Sequence, residues 1–524
     1  MRKIVWLFFL FIPVAARCQN KYDVLIKNGK LVDGTGNNWY YADIAVKDGK
    51  IVSIQKQLNA TADKIIDAKG LIIAPGFIDV HTHIEDNELK TPTADNFSFD
   101  GVTTVITGNC GASNVDLKRY FTWLDSLQLS VNTASLIGHN DVRKAVMGRA
   151  NRDATPDELR QMEELITQAM KDGAVGFSTG LIYIPGTYAK TSEVLQLATV
   201  ASKFGGVYAT HMRDEGDSVT QAIQEALYIG AEAGMPVQIS HFKLSGQQNW
   251  GRSKETIAMI TAARSQGTDV TIDQYPYTAS STSLSTLLPD EILADGEDSI
   301  NARLNQPATR EWAITRMLEK LKKRKLKHYS YAVVANYKAD TTLNGKSIEA
   351  INLLKGRKHK AKEEVVTIFE MMQQGGAGMV FHGMSEEDVK RIIQYPFNMF
   401  ASDASIRSFG QGVPHPRGYG TNARVLAKYV REEKVLSLEE VIRRMTSLPA
   451  QKFQLKDRGI LKEGFAADIV IFNEADVADM STFESPHQYS KGFIDVLVNG
   501  RLVVENSKHT GVRSGRTLRS PGAR

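Results

Sequence analysis

What most constrains this chain is a regular alternation. Between residues 74 and 450, short β-rich runs give way repeatedly to helix-patterned segments. The candidate strands are Phe77 to Val80, Thr103 to Thr107, Thr133 to Ile137, Ala174 to Phe177, Val207 to Thr210, Val237 to Ser240, Val270 to Asp273 and Met399 to Ser402. Strands separated by helices pair in parallel, and eight such units close into a TIM barrel. The intervening helices carry their own start signals. Thr155-Pro156-Asp157-Glu158 sets a capping threonine before a proline in the first turn. The predicted class is α/β, a (β/α)8 barrel.

The repeat length places the polar residues. A barrel of ~250 residues in eight units repeats every ~31 residues. Cys110 lies 29 residues after His81 (110 − 81), and His241 lies 30 after His211 (241 − 211). Each pair is one unit apart, at the C-terminal ends of neighbouring strands, where barrel active sites are built. His81-Thr82-His83 sends both imidazoles to one face by the period of two. Four histidines and a cysteine at one mouth match zinc's preference for nitrogen and sulfur. Asp403 ends the eighth strand, where a carboxylate serves as general base to a metal-bound water. Among the other histidines, His139 also ends a strand and is a candidate to line the pocket. His382 and His415 are candidates to support a ligand or touch substrate. His328, His359, His487 and His509 read as surface groups.

Two regions fall outside the barrel pattern. Residues 22–73 and 459–505 carry short alternating strands with turn signals such as Asp33-Gly34-Thr35-Gly36 and Asn499-Gly500. They predict one small β-sandwich built from both chain ends, divided as 19–73 and 451–524, the latter including a solvated basic tail. Residues 285–380 are lysine-rich and helix-patterned and fit no eighth of a barrel. They predict a helical or mixed insertion after the seventh strand, leaving barrel segments 74–284 and 381–450.

The N-terminus reads as an address. Arg2 and Lys3 precede an apolar run from Ile4 to Ala16, which is too short for the ~20 residues a bilayer requires. Residues 1–18 predict a signal peptide and a periplasmic or secreted product; the alternative is a lipoprotein anchored through Cys18. The formal charge of +5 falls to +2 when Arg2, Lys3 and Arg17 are removed. That balance gives no case for a nucleic-acid partner. The chain has two cysteines, so loss of Cys18 leaves Cys110 unable to form an intramolecular disulfide.

Several segments together carry a resemblance. They are Pro75-Gly76-Phe77-Ile78-Asp79-Val80-His81-Thr82-His83, Thr107-Gly108-Asn109-Cys110-Gly111, Gly176-Phe177-Ser178-Thr179-Gly180-Leu181, Thr210-His211-Met212-Arg213, Ser240-His241-Phe242-Lys243, Tyr275-Pro276-Tyr277, Ser402-Asp403 and Pro414-His415-Pro416-Arg417. With Gly459 to Asp468 and Pro486-His487-Gln488-Tyr489, they resemble the N-acyl-D-amino-acid deacylases of the amidohydrolase superfamily, over about residues 22–520. The resemblance implies that Cys110, His211 and His241 hold a tight zinc. It implies that His81 and His83 form a weaker second site sharing Cys110, and that Asp403 is the catalytic acid/base. Phe242 and Ala404 depart from the family pattern without removing a ligand.

The implied reaction is hydrolysis of a linear amide, with a small N-acyl amino acid as the partner molecule. Arg417 offers bidentate geometry for the substrate carboxylate. Lys243, Tyr183 and Ser281 are further substrate-binding candidates. Two alternatives stand beside this reading. One is a cyclic-amide hydrolase of hydantoinase or dihydroorotase type, against which Cys110 counts because it stands where such enzymes carry a bridging lysine. The other is a non-catalytic exported solute-binding protein, against which the full set of metal candidates and Asp403 counts.

Overall fold

The computed structural model describes residues 21–85 and 87–523. The expected signal segment 1–18, Cys18 included, lies outside the described residues. Eight parallel strands form the barrel: Phe77–Asp79, Val102–Thr107, Asn132–Ser135 continued by Ile137–Gly138, Gly176–Gly180, Val207–His211, Val237–Ile239, Val270–Gln274 and Asn398–Phe400. Every residue of the second, fourth and fifth strands is buried, as parallel strands covered by helices require. The third strand breaks at Leu136. Its first half pairs with the second strand and its second half with the fourth.

The ring closes above the strands rather than along them. Asp403 N donates to His81 O at 2.9 Å, His83 N donates to Ala404 O at 2.9 Å, and Thr82 bridges Ala404. The seam between first and last strands therefore runs through candidate site residues. The outer helices follow the amphipathic rule. Pro156–Asp172 starts with a reciprocal capping box between Thr155 and Glu158 and ends at left-handed Gly173. Its buried residues Met162, Ile166, Ala169 and Met170 keep to one face.

A three-stranded antiparallel sheet follows the seventh strand, with Gly378–His382 between Ala279–Ser283 and Ala332–Asn336. Helices pack on it around a core of its own, including Leu304, Ile314, Ile348, Ile368 and Met379. This unit begins at Ala279 and ends at His382, beyond the expected edges of 285 and 380. Ala279-Ser280-Ser281-Thr282-Ser283 has no apolar alternation to mark it as a strand. Its partner lies nearly a hundred residues downstream.

Both chain ends join in one nine-stranded sheet. Ile469–Phe472 lies antiparallel to Ile72–Pro75, which in turn pairs with Tyr22–Leu31. Ile26, Ile44, Val46, Ile73, Ile469, Ile471 and Leu497 share its core. Buried Asp468 ties this domain to the barrel, accepting from Asn132 Nδ2 at 2.9 Å and Asn499 N at 2.7 Å. The basic side chains of the tail, Lys508, Arg513, Arg516 and Arg519, are exposed as expected, but its backbone is docked. Residues 515–520 run under the barrel, with Thr133 N donating to Arg516 O at 3.0 Å and Leu518 N to Thr133 O at 2.8 Å. The Arg519 guanidinium lies 5.0 Å over the Phe121 ring. Charge alone did not forecast this because backbone pairing and cation–π contact hold basic segments too. Among the described residues no helix is long and apolar enough to cross a membrane.

Candidate metal centre

Cys110 sits in a turn directly after the second strand, at φ 54°, between Gly108 and Gly111, both at φ 75°. A Cβ at Gly108 would strike the Leu136 carbonyl, and one at Gly111 the Asn140 side chain. The turn thus needs both glycines, and it aims the thiol into the barrel mouth. Cys110 Sγ lies 3.3 Å from His81 Nε2, 3.5 Å from His241 Nε2 and 3.6 Å from His211 Nδ1. His83, partly exposed, joins His81 and Cys110 in a second group of donors within 4.8 Å of one another.

The donor set fits a metal. Three buried imidazole nitrogens turn toward one thiol sulfur, itself a weak hydrogen-bond partner, which is the arrangement of ligands around a cation. Burial pushes His81, His211 and His241 well below the usual histidine range, which keeps them in the neutral form that ligates. Burial pushes the Cys110 thiol well above its ordinary value, with Asp403 adding to the rise. A cation replacing that proton relieves the cost of the buried thiolate. Soft sulfur with imidazole nitrogens is the chemistry of zinc.

Asp403 stands beside this cluster at φ 49°. Its Oδ1 lies 3.4 Å from His83 Nε2 and 3.7 Å from His81 Nε2, and its Oδ2 lies 2.9 Å from Arg417 Nη1. Burial alone would raise this carboxyl, but the Arg417 charge and a hydrogen bond from His83 hold it well below the usual carboxylate range. Arg417 is itself buried, its guanidinium 4.4 Å over the Tyr275 ring. Its Nη2 donates to Ser281 O at 3.3 Å, while Nε and Nη1 have no hydrogen-bond partner. The Asp403 contact is thus an ion pair without an aligned N–H. Two cavities, of about 210 and 390 Å³, meet at Tyr183, Ser281, Thr282 and Asp403.

Comparison with known proteins decides the family. A family model described as the amidohydrolase family matches residues 64–504. The chain belongs to the amidohydrolase family. It is 35% identical over 520 residues to a D-aminoacylase of Alcaligenes xylosoxydans xylosoxydans, covering 95% of this chain and 97% of that protein. Its fold is similar to a crystal structure of N-acyl-D-glutamate deacylase from Bordetella bronchiseptica, complexed with zinc and a phosphonate mimic of the reaction's tetrahedral intermediate. That match has TM-score 0.82 and 33% identity and covers 95% of this chain and 100% of the other. A D-aminoacylase structure described by its binuclear metal centre matches with TM-score 0.81 at 34% identity, again over 95% and 100%.

In this amidohydrolase the remaining candidates divide. Tyr183 lies edge-on to His211 at 4.7 Å and accepts from Thr282 Oγ1 at 3.1 Å. Ser281 lines both cavities, but its hydroxyl donates to Met379 O at 2.8 Å inside the insertion sheet. The Lys243 ammonium is committed to Glu215 Oε1 at 2.5 Å and His241 O at 2.9 Å, which makes it a support for a ligand more than a free cation for substrate. His415 accepts from Arg417 N at 3.0 Å and so positions the arginine. His139 is not a pocket group: it is buried against Glu193 at 2.9 Å, which also pairs with Arg143. His382 is exposed at the end of its strand, and His487 is bonded to Tyr419 and Gly412 instead of standing free.

Two carboxylates in the amidohydrolase's site went unread in the sequence. Glu215 Oε1 lies 2.8 Å from His241 Nδ1, and Asp273 Oδ1 accepts from His241 N at 2.7 Å. Burial pushes Asp273 up to about 7, against the hydrogen bonds from Gln238 and His241. The signal for Glu215 was its place four residues past His211, on the loop leaving a strand that ends in a candidate ligand.

Proposed function

We propose that this amidohydrolase hydrolyses N-acyl-D-amino acids, releasing a carboxylate and a free D-amino acid. Zinc is the proposed metal, held tightly by Cys110, His211 and His241 and more weakly by His81, His83 and the shared Cys110. The observation that carries the reading is a base and a guanidinium placed 2.9 Å apart on one side of the sulfur–nitrogen cluster. Similarity along nearly the whole chain to the D-aminoacylase supports the substrate class.

Bound at these donors, zinc supplies Lewis acidity and an activated water. Asp403 Oδ1 faces the donors and accepts the proton of the attacking water. It then returns that proton to the leaving nitrogen, which departs as the free amine. Arg417 Nε and Nη1 are the open donors for the substrate carboxylate. Engaging them draws Arg417 off Asp403, lifting the ion pair that holds Asp403 low and making it a better base. Tyr183, edge-on to His211, forms part of the wall of the cavity beside it.

A stereochemically paired panel of N-acetyl amino acids, read by release of primary amine, tests the reading. Hydrolysis of D-forms with little turnover of L-forms is expected. Preferential opening of hydantoins or dihydroorotate, or no turnover of any panel member by zinc-loaded protein, would overturn it. Export is proposed with it, from Arg2, Lys3 and the run Ile4 to Ala16. Mass spectrometry of the mature N-terminus, expected at Gln19, distinguishes cleavage from acylation of Cys18.

A further inference from the structure

The insertion holds a second convergence of ligating side chains, separate from the barrel mouth. His328, Glu349, His359 and Glu364 each offer one donor atom, and all four lie within 4.8 Å of one another. His328 Nδ1 is 2.6 Å from Glu364 Oε1 and 3.8 Å from Glu349 Oε1. His359 Nε2 is 2.5 Å from the same Glu349 oxygen. The two imidazoles stack, with centroids 4.1 Å apart and planes 19° apart, and both rings reach Glu349, while His328 also reaches Glu364.

The four groups come from separate segments, each fixed independently. Glu349 lies in the first turn of the helix Ile348–Leu354, whose Ser347 cap accepts from Ala350 N at 3.1 Å. Glu364 is fully buried in the helix Ala361–Gln373, and its second oxygen accepts from Tyr329 N at 2.7 Å. That leaves Oε1 facing His328. His359 lies in the turn between those helices, held where Asn352 Nδ2 donates to Lys358 O at 3.0 Å. The surrounding bases are spent elsewhere: Lys355 and Arg357 pair with Glu370, and Lys362 with Glu311. Among the described residues, Glu349 and Glu364 form ion pairs with the two histidines alone. In a lysine-rich segment that pairing is selective.

We propose that His328, Glu349, His359 and Glu364 form a structural zinc site in the insertion. Two imidazoles and two carboxylates make a neutral set for a divalent ion, and both donor types are within zinc's range. Tetrahedral bonds of about 2.0–2.1 Å put donors ~3.4 Å apart. The contacts of 2.5, 2.6 and 3.8 Å bracket that value, and the remaining pairs lie within 4.8 Å, so side-chain shifts on the order of an ångström accommodate the ion. Zinc here cross-links two helices to the segment leading into Tyr331, which lines the catalytic cavity. It stiffens that wall without touching substrate.

The test is metal analysis of the full chain, expressed with zinc and desalted. The double variant His359→Ala/Glu349→Gln alters two partly exposed side chains. It is expected to carry one zinc equivalent fewer per chain than wild type, with circular dichroism and hydrolytic rate unchanged at low temperature. Cys110→Ala is expected to keep the insertion's equivalent. Zinc added to chelator-stripped Cys110→Ala protein is then expected to raise its melting temperature, and to lose that effect when the double variant is combined with it. Equal zinc content in wild type and double variant, or an equal zinc-induced shift with and without the two substitutions, overturns the proposal.

Discussion

Replacing Glu215 by glutamine tests whether a carboxylate outside the ligand set determines how His241 meets a metal. His241 Nε2 faces Cys110 Sγ, so a metal at Nε2 requires the ring's proton to sit on Nδ1. Nδ1 has two neighbours, Glu215 Oε1 at 2.8 Å and Lys243 Nζ at 2.9 Å. An ammonium has only hydrogens to give, so it favours the wrong tautomer; the carboxylate favours the right one and also engages the ammonium at 2.5 Å. Glutamine keeps the shape but removes the charge that outcompetes Lys243. Loss of such a supporting carboxylate typically costs 10–100-fold in metal affinity, about 1.4–2.8 kcal/mol at ~1.4 kcal/mol per decade. Buried Lys243 is also stripped of its counter-charge, a change worth about 3–5 kcal/mol of stability when a buried pair is broken. Competition with a zinc chelator gives the first quantity, and denaturant unfolding of the metal-free protein gives the second. Glu215→Gln with wild-type zinc affinity would refute the tautomer argument. Wild-type stability would refute the charge argument.

Asp403→Asn is expected to keep metal and lose about 10²–10⁴-fold in turnover, the usual worth of general acid–base catalysis, measured by steady-state kinetics beside metal analysis. Cys110→Ala and His241→Ala are each expected to lower both bound zinc and rate. Arg417→Lys should reduce kcat/KM on N-acyl amino acids by roughly 10–150-fold, the worth of one charge-assisted hydrogen bond, and leave the corresponding amino acid amides nearly unaffected. Lys452 gives a stability test. Burial pulls its pKa down to about 8, against the Asp269 carboxylate 3.1 Å away. A lysine whose folded pKa lies below its unfolded value destabilises most below pH 8, and the cost fades as pH rises toward ~10.4. Lys452→Met is therefore expected to gain up to about 2 kcal/mol over wild type at pH 7, after loss of one hydrogen bond to Asp269 O, and least at pH 10, read from melting temperatures.

The barrel and the positions of its polar residues were legible because periodicity in sequence becomes periodicity in space. Spacings of 29 and 30 residues put Cys110, His81, His211 and His241 on one rim before any coordinate was needed. Asp403 was legible for the same reason. Glu215 and Asp273 were not, because a carboxylate's role depends on which ring nitrogen it faces, and that is a matter of fractions of an ångström. The strand Ala279–Ser283 was hidden by its composition. The cluster of His328, Glu349, His359 and Glu364 was hidden by lysine-rich surroundings that suggested only solvent exposure. The docked tail was missed because its contacts are made by backbone groups, which every residue has.

The sheet assembled from both chain ends also sets an order for folding. Ile469 lies opposite Pro75, 394 residues later in the chain (469 − 75). Ribosomes deliver residues at about 5–20 per second, so Ile72–Pro75 waits tens of seconds for this partner. Through that interval Tyr22–Leu31 is covered by Tyr40–Lys47, Ala62–Asp67 and Ile72–Pro75, but Ile72–Pro75 presents an apolar, hydrogen-bond-hungry edge whose own partner has not been made. The barrel cannot shield that edge, since its eighth strand emerges only at Asn398–Phe400. The edge of Ile72–Pro75, left open, makes a C-terminally shortened product a candidate for aggregation before it is a candidate for inactivity.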